Sequence, residues 1–191
     1  MSLGDSLSAG VGSLDGKNTF TYQFAKNLSN KYQKVEFYNV AWPGNTTTEV
    51  IKNQLPQAIA EDPNYITLLI GTNDVHNRMS EEEFKKNYGL ILQELLSQTN
   101  AQIVVINIPY LGSDKIVLPP YNWILDMKIK TFNKIISDQV DIWNVSKRIK
   151  FVDLYKETGG SEAQNKDYYS PDLYHPSDKG YLIWAQIIDA D

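Results

Sequence analysis

The sequence contains no cysteine. Disulfides, thiolate nucleophiles, zinc–thiolate sites and iron–sulfur clusters are excluded, although the absence selects no compartment. Histidine is scarce: His76 and His175 are the only two in 191 residues, so any imidazole chemistry must use one of them. No run of about 18 apolar residues occurs, so no segment reads as a stable membrane span, and no signal-peptide pattern is visible. An excess of positive charge is also missing. Lys and Arg number 18 against 23 Asp and Glu, a net charge of −5, which is not the footprint of a nucleic-acid binder. Internal repeats, low-complexity stretches and linkers are absent.

What is present is ordinary in bulk and informative in pattern. Hydrophobic residues make up 42% and charged residues 21%, as in a globular protein, and the length fits a single domain over residues 1–191. Short β-rich runs alternate with longer helical ones. Val35–Ala41, Tyr65–Ile70, Gln102–Ile108 and Lys150–Leu154 read as strands, and the second and third are nearly continuously apolar, as strands buried on both faces are. Helices are predicted over about Phe20–Tyr32, Thr47–Ile59, Ser80–Ser97, Trp123–Arg148 and Ser177–Ile188. Phe84, Tyr88, Ile91, Leu92, Leu95 and Leu96 form one apolar stripe, and Ser80 with Glu83 reads as a capping box. Strands alternating with helices imply parallel pairing through right-handed crossovers, hence a three-layer α/β domain. Ligands bind such sheets beyond the carboxyl ends of the strands.

Residue clusters stand at just those loop positions: Gly4-Asp5-Ser6-Leu7, Trp42-Pro43-Gly44-Asn45-Thr46, Gly71-Thr72-Asn73-Asp74, and Asp172-Leu173-Tyr174-His175-Pro176. A serine hydroxyl needs a neighbouring base to become a nucleophile. Asp172 lies three residues before His175, and one tight turn can bring its carboxylate to the ring. Acyl transfer also needs donors for the developing oxyanion. The N–H groups of Ser6 and Gly44 and the Asn73 amide could supply them. Each cluster alone also fits a plain structural role, as a turn, a strand end or a helix cap. His76 near Asp74 hints at a metal, but a ligand set needs three or four convergent groups, and a pocket-edge residue fits as well.

Taken together and in this order, the four clusters resemble the GDSL hydrolases, also called the SGNH family. The resemblance implies a flavodoxin-like three-layer α/β/α sandwich and an esterase that needs neither metal nor cofactor. Residue by residue, it implies Ser6 as nucleophile, His175 as general base and Asp172 as third triad member. Ser6, Gly44 and Asn73 would form the oxyanion hole, with Asp5 and Asp74 as braces. The expected substrate is a small-molecule or lipid ester, and the likeness leans toward the lysophospholipase-like or acyl-esterase branch. A carbohydrate O-acetylesterase with the same triad and a catalytically silent binding protein are the alternatives. The region Pro109–Ser113 and Pro119–Trp123 should border the site. Tyr110, Leu111 and Tyr174 are its candidate substrate contacts, with Tyr168 and Tyr169 nearby.

The beginning of the chain departs from the family. The nucleophile loop normally follows a strand of about 5–6 residues, whereas only Met1-Ser2-Leu3 precede Gly4. The expectation is a first strand shortened or missing, inner sheet edges left unpaired, and a native start upstream that could include a leader; the alternative is a genuine short start, with the gap closed by rearrangement or by another chain's strand. Localisation, cytoplasmic or extracytoplasmic, stays open on that ground, and oligomeric state is not legible.

Overall fold

The computed structural model of the chain describes residues 1–110, 118–159 and 165–189. The sheet consists of β1 (Ser2–Gly4), β2 (Tyr65–Leu69), β3 (Gln102–Ile106) and β4 (Ile149–Val152). They lie side by side in that order, and every pair is parallel. The apolar runs explain the centre: Ile66, Leu68, Leu69, Ile103, Val105 and Ile106 are fully buried. Helices cover both faces. On one, α6 (Glu81–Gln98) packs on α7 (Tyr121–Trp143), with α4 (Leu55–Glu61) beside α6. On the other, α2 (Phe20–Leu28) packs on α9 (Asp178–Asp189), with α8 (Leu154–Thr158) against α9. The arrangement is the expected α/β sandwich. Among the described residues no helix is long and apolar enough to cross a membrane.

The first strand is short but not missing. Its three residues are buried and pair with Thr67, Leu68 and Leu69 of β2. The opposite edge is also occupied: Ser2 N–H donates to the Tyr38 carbonyl at 2.8 Å, and Val40 and Trp42 N–H donate to Ser2 and Gly4 carbonyls at 3.0 and 3.2 Å. The expected unpaired inner edges are therefore not found. The expected strand Val35–Ala41 is corrected, because it reduces to one bridge between Ser2 and Asn39. A three-residue neighbour offers too few rungs for a longer ladder, and Phe37 and Tyr38 stay exposed.

Other boundaries moved for identifiable reasons. The helix expected over Thr47–Ile59 is α3 (Thr47–Glu49), a π turn over Val50–Gln54 and then α4. Pro56 stands in the first turn of α4. It has no N–H to give to the preceding turn, and a π turn is one way a helix absorbs that loss. Helix α7 stops at Trp143 rather than Arg148, because the Asn144 amide pairs with both backbone groups of Ile149 at 2.9 and 2.8 Å. Only half of the expected capping box at α6 forms: Ser80 Oγ accepts from Glu83 N–H at 3.2 Å. The complete box is at α3, between Thr46 and Glu49.

Candidate active site

The chain leaves β1 through Gly4, whose φ is +146°, and a Cβ there would stand 2.1 Å from the Leu69 carbonyl oxygen. Only glycine fits between these strands. The Gln54 amide clamps Gly4 from the other side, accepting from its N–H and donating to its carbonyl, both at 2.8 Å. Asp5 follows as N-cap of α1 (Ser6–Ala9) and accepts from Leu7 N–H at 3.0 Å. Ser6 is thus the first residue of a short helix at the carboxyl end of β1. As a first-turn residue its N–H has no intrahelical acceptor.

The His175 loop is built locally. Asp172 Oδ1 accepts from the N–H groups of Tyr174 and His175 at 2.8 and 2.9 Å and from the Ser170 hydroxyl at 2.7 Å. Asp172 Oδ2 lies 2.7 Å from His175 Nδ1, and His175 Nε2 lies 3.0 Å from Ser6 Oγ. A carboxylate can only accept, so Nδ1 carries the hydrogen and Nε2 is left to accept from Ser6. Burial alone would raise the Asp172 carboxyl, but the His175 ring, the Tyr174 N–H, the Ser170 hydroxyl and the His175 N–H outweigh it. The carboxyl is held well below the usual range, so it remains ionised. Gly12 lets this loop sit close to α1: with φ +96°, a Cβ on it would meet Pro176 O at 2.5 Å and His175 Cβ at 2.9 Å.

Gly44 sits on the loop before α3, and Asn73 on the helix that follows β2. Asn73, on α5 (Thr72–His76), donates one amide hydrogen to the Asn45 carbonyl at 2.9 Å. That fixes the side chain and leaves its second hydrogen for another acceptor. Gly44 is exposed, and no heavy atom lies within 4 Å of where its Cβ would be. Among the described residues no acceptor serves its N–H. Below them Asp74 is buried and accepts from Thr47 N–H at 3.0 Å and from the Thr47 hydroxyl, which ties α5 to α3. Burial raises the Asp74 carboxyl against those bonds. Asp5 is buried completely. Burial first, then the nearby Asp74 charge, push it up to about 7 against the Leu7 N–H and the Thr72 hydroxyl.

Among the other expected contacts, Leu111 lies outside the described residues. Tyr110 and Tyr174 line one narrow cleft of about 40 Å³, together with Tyr168 and Tyr169. His76 meets a phenol: Tyr174 OH and His76 Nε2 are 3.1 Å apart. Burial raises the Tyr174 phenol and lowers His76, so the bond joins two neutral groups. Sequence reasoning missed Gln54, Ser170, Gly12 and Asn133. The last clamps both backbone groups of Ile108 at 2.9 and 2.8 Å, at the end of β3. Only Gly12, in a loop beside the serine motif, carried a local signal.

The sequence model described as the GDSL-like Lipase/Acylhydrolase family matches residues 2–183. Among solved structures, the chain is similar to the lipase/acylhydrolase from Enterococcus faecalis, with a TM-score of 0.76 and 22% identity over 98% of this chain and 91% of that one. It is similar to TesA, with a TM-score of 0.75 and 19% identity over 98% and 93%. A third similar structure, the acetyl xylan esterase AlAXEase, gives 0.73 and 19% over 98% of both chains. No curated protein matches the chain.

Proposed function

The chain belongs to the GDSL-like lipase/acylhydrolase family and is a hydrolase of ester bonds, and we propose that it works by acyl transfer through Ser6, with His175 as base and Asp172 as orienting carboxylate. One observation carries the proposal: the unbroken hydrogen-bond relay from Asp172 through His175 to Ser6, at 2.7 and 3.0 Å. Ser6 Oγ attacks the ester carbonyl while His175 Nε2 takes its proton. The tetrahedral oxyanion is met by the N–H groups of Ser6 and Gly44 and the free hydrogen of the Asn73 amide. His175 then returns the proton to the departing alcohol. Water, activated by the same ring, attacks the acyl-enzyme and releases the acid. Asp5 and Asp74 act as braces and do not meet the substrate.

The substrate we propose is an acyl ester of a small alcohol or lipid. The tyrosines along the cleft also favour a second reading, a carbohydrate O-acetylesterase, because aromatic rings with polar tips stack on sugars. An acetyl xylan esterase is among the similar structures. Turnover of p-nitrophenyl acyl esters and of acetylated xylo-oligosaccharides separates the two. The test of the mechanism is Ser6→Ala, expected to lower kcat by about 10⁴–10⁶ with the fold intact by circular dichroism. Turnover within about tenfold of the parent protein would reject Ser6 as the nucleophile.

A further inference from the structure

The bonds of Asp172 stay inside the turn that carries the base. They set the His175 ring against its carboxylate, but they do not set the turn against α5, where Asn73 stands. Asn73 is held by the Asn45 carbonyl, and α5 is held from beneath by Asp74 on Thr47. Neither tie reaches the base turn. Yet the oxyanion grows on the carbon that Ser6 Oγ attacks while His175 takes the proton, so the oxyanion helix and the base turn must keep one spacing.

Two side chains span that spacing. Tyr174 adjoins His175, and His76 closes α5 three residues after Asn73, hence on the same side of that helix. Tyr174 OH and His76 Nε2 are 3.1 Å apart, although 98 residues separate them in the chain. Their rings pack edge-on with centroids 5.8 Å apart, and Tyr174 packs edge-on against His175 at 5.1 Å. Tyr174 therefore touches both the base and the helix of the oxyanion donor. Both residues lie outside those that carry the family likeness: Tyr174 fills an open position of Asp-x-x-His, and His76 follows Gly-Thr-Asn-Asp.

We propose that Tyr174 and His76 are positioning residues: bonded across the site, they hold α5 against the base turn and keep the Asn73 amide aimed at the oxyanion. They act through Asn73 and not on the substrate. The inference rests on Ser6 as nucleophile and Asn73 as oxyanion donor.

The experiment measures kcat and KM for p-nitrophenyl acetate in a cycle of Tyr174→Phe with Asn73→Ala. Tyr174→Phe keeps the ring and removes the hydroxyl. In the parent protein it should lower kcat by about three- to thirtyfold and leave KM and melting temperature nearly unchanged. In the Asn73→Ala background it should cost less than about twofold, because the group it positions is gone. His76→Ala should behave in the same way, and combined with Tyr174→Phe it should cost no more than either change alone. His76→Gln, whose amide can still accept from the phenol, should recover most of the loss. A purely structural role would move the melting temperature and would cost as much with Asn73 absent. Parent-like kcat in both Tyr174→Phe and His76→Ala, a loss carried by KM, or a loss undiminished in Asn73→Ala each overturns the positioning role. If Tyr174→Phe does not fold, the cycle of His76→Ala with Asn73→Ala decides alone. Asn73→Ala by itself separates the two ideas: if it lowers kcat while the other variants fail these tests, the positioning role falls alone, and if it leaves kcat unchanged, the oxyanion donor and the positioning role fall together.

Discussion

Two aspartates flank the proposed nucleophile and base, and their surroundings are opposite. Asp5 precedes the serine, is fully buried, and is pushed up to about 7. Asp172 precedes the histidine, keeps 47% of its side chain exposed, and is held well below the usual range. The nucleophile side is fixed by long-range buried contacts: Gly4 against Leu69, Gln54 across 50 residues, and Asp5 near Asp74. The base side is fixed by short local bonds, each spanning two or three residues, onto one carboxylate. Rigidity at the serine is therefore a property of the core, whereas at the histidine it is a property of one turn. Changes on the base side should cost more activity than stability, and changes on the nucleophile side should do the reverse unless they touch Ser6.

Asp172→Asn is the sharpest probe of the base side. It keeps the shape of the turn but removes the charge that selects the ring tautomer. A loss of about 10⁴ in kcat is expected, with only a modest fall in melting temperature, because the half-exposed carboxylate is screened by solvent. A large stability loss with little change in kcat would reverse the comparison.

Asn73→Ala removes a donor whose bond strengthens as the carbonyl oxygen gains charge. It should lower kcat by about 10²–10³ and leave KM nearly unchanged. A rise in KM at constant kcat would make Asn73 a ground-state contact instead.

On the nucleophile side, Gln54→Ala strips Gly4 of its amide clamp and leaves a buried N–H without an acceptor. Chemical denaturation should register a loss of about 1–3 kcal/mol, with a smaller effect on kcat than Asn73→Ala. Stability equal to that of the parent would show that the clamp contributes nothing.

Asp5→Asn gives the smallest effect on turnover and isolates the electrostatics. An acid raised in the folded state destabilises the fold progressively as pH climbs from its ordinary 3.8 to about 7, and uniformly above that. Asparagine still caps a helix and removes this slope. The melting-temperature difference, variant minus parent, should therefore be more positive at about pH 7.5 than at about pH 4.5. Asp172 has the opposite sign: its contribution is present above its ordinary 3.8 and fades as pH falls through its depressed value. A difference that does not change with pH would mean that Asp5 is not the raised group.

The same contrast explains what was legible in the sequence. Asp-x-x-His could be read because its geometry is made within four consecutive residues, and the buried strands could be read because apolar runs declare them. The π turn had a visible cause in Pro56 that the helical pattern masked. Strand Val35–Ala41 was misjudged because its pairing depends on how long β1 is, not on its own composition. Gln54, Asn133 and the His76–Tyr174 pair were out of reach. Each is an ordinary polar side chain until the fold brings it to a backbone or a ring far along the chain.

In the proposed mechanism one serine carries the acyl group and one histidine activates it. The most direct measurement is covalent labelling with a fluorophosphonate, followed by peptide mass mapping of the parent protein, Ser6→Ala and His175→Ala. A single adduct per chain is expected on Ser6 of the parent, none in Ser6→Ala and much slower labelling in His175→Ala. An adduct on a different residue, or labelling of Ser6→Ala at the parent rate, would contradict it.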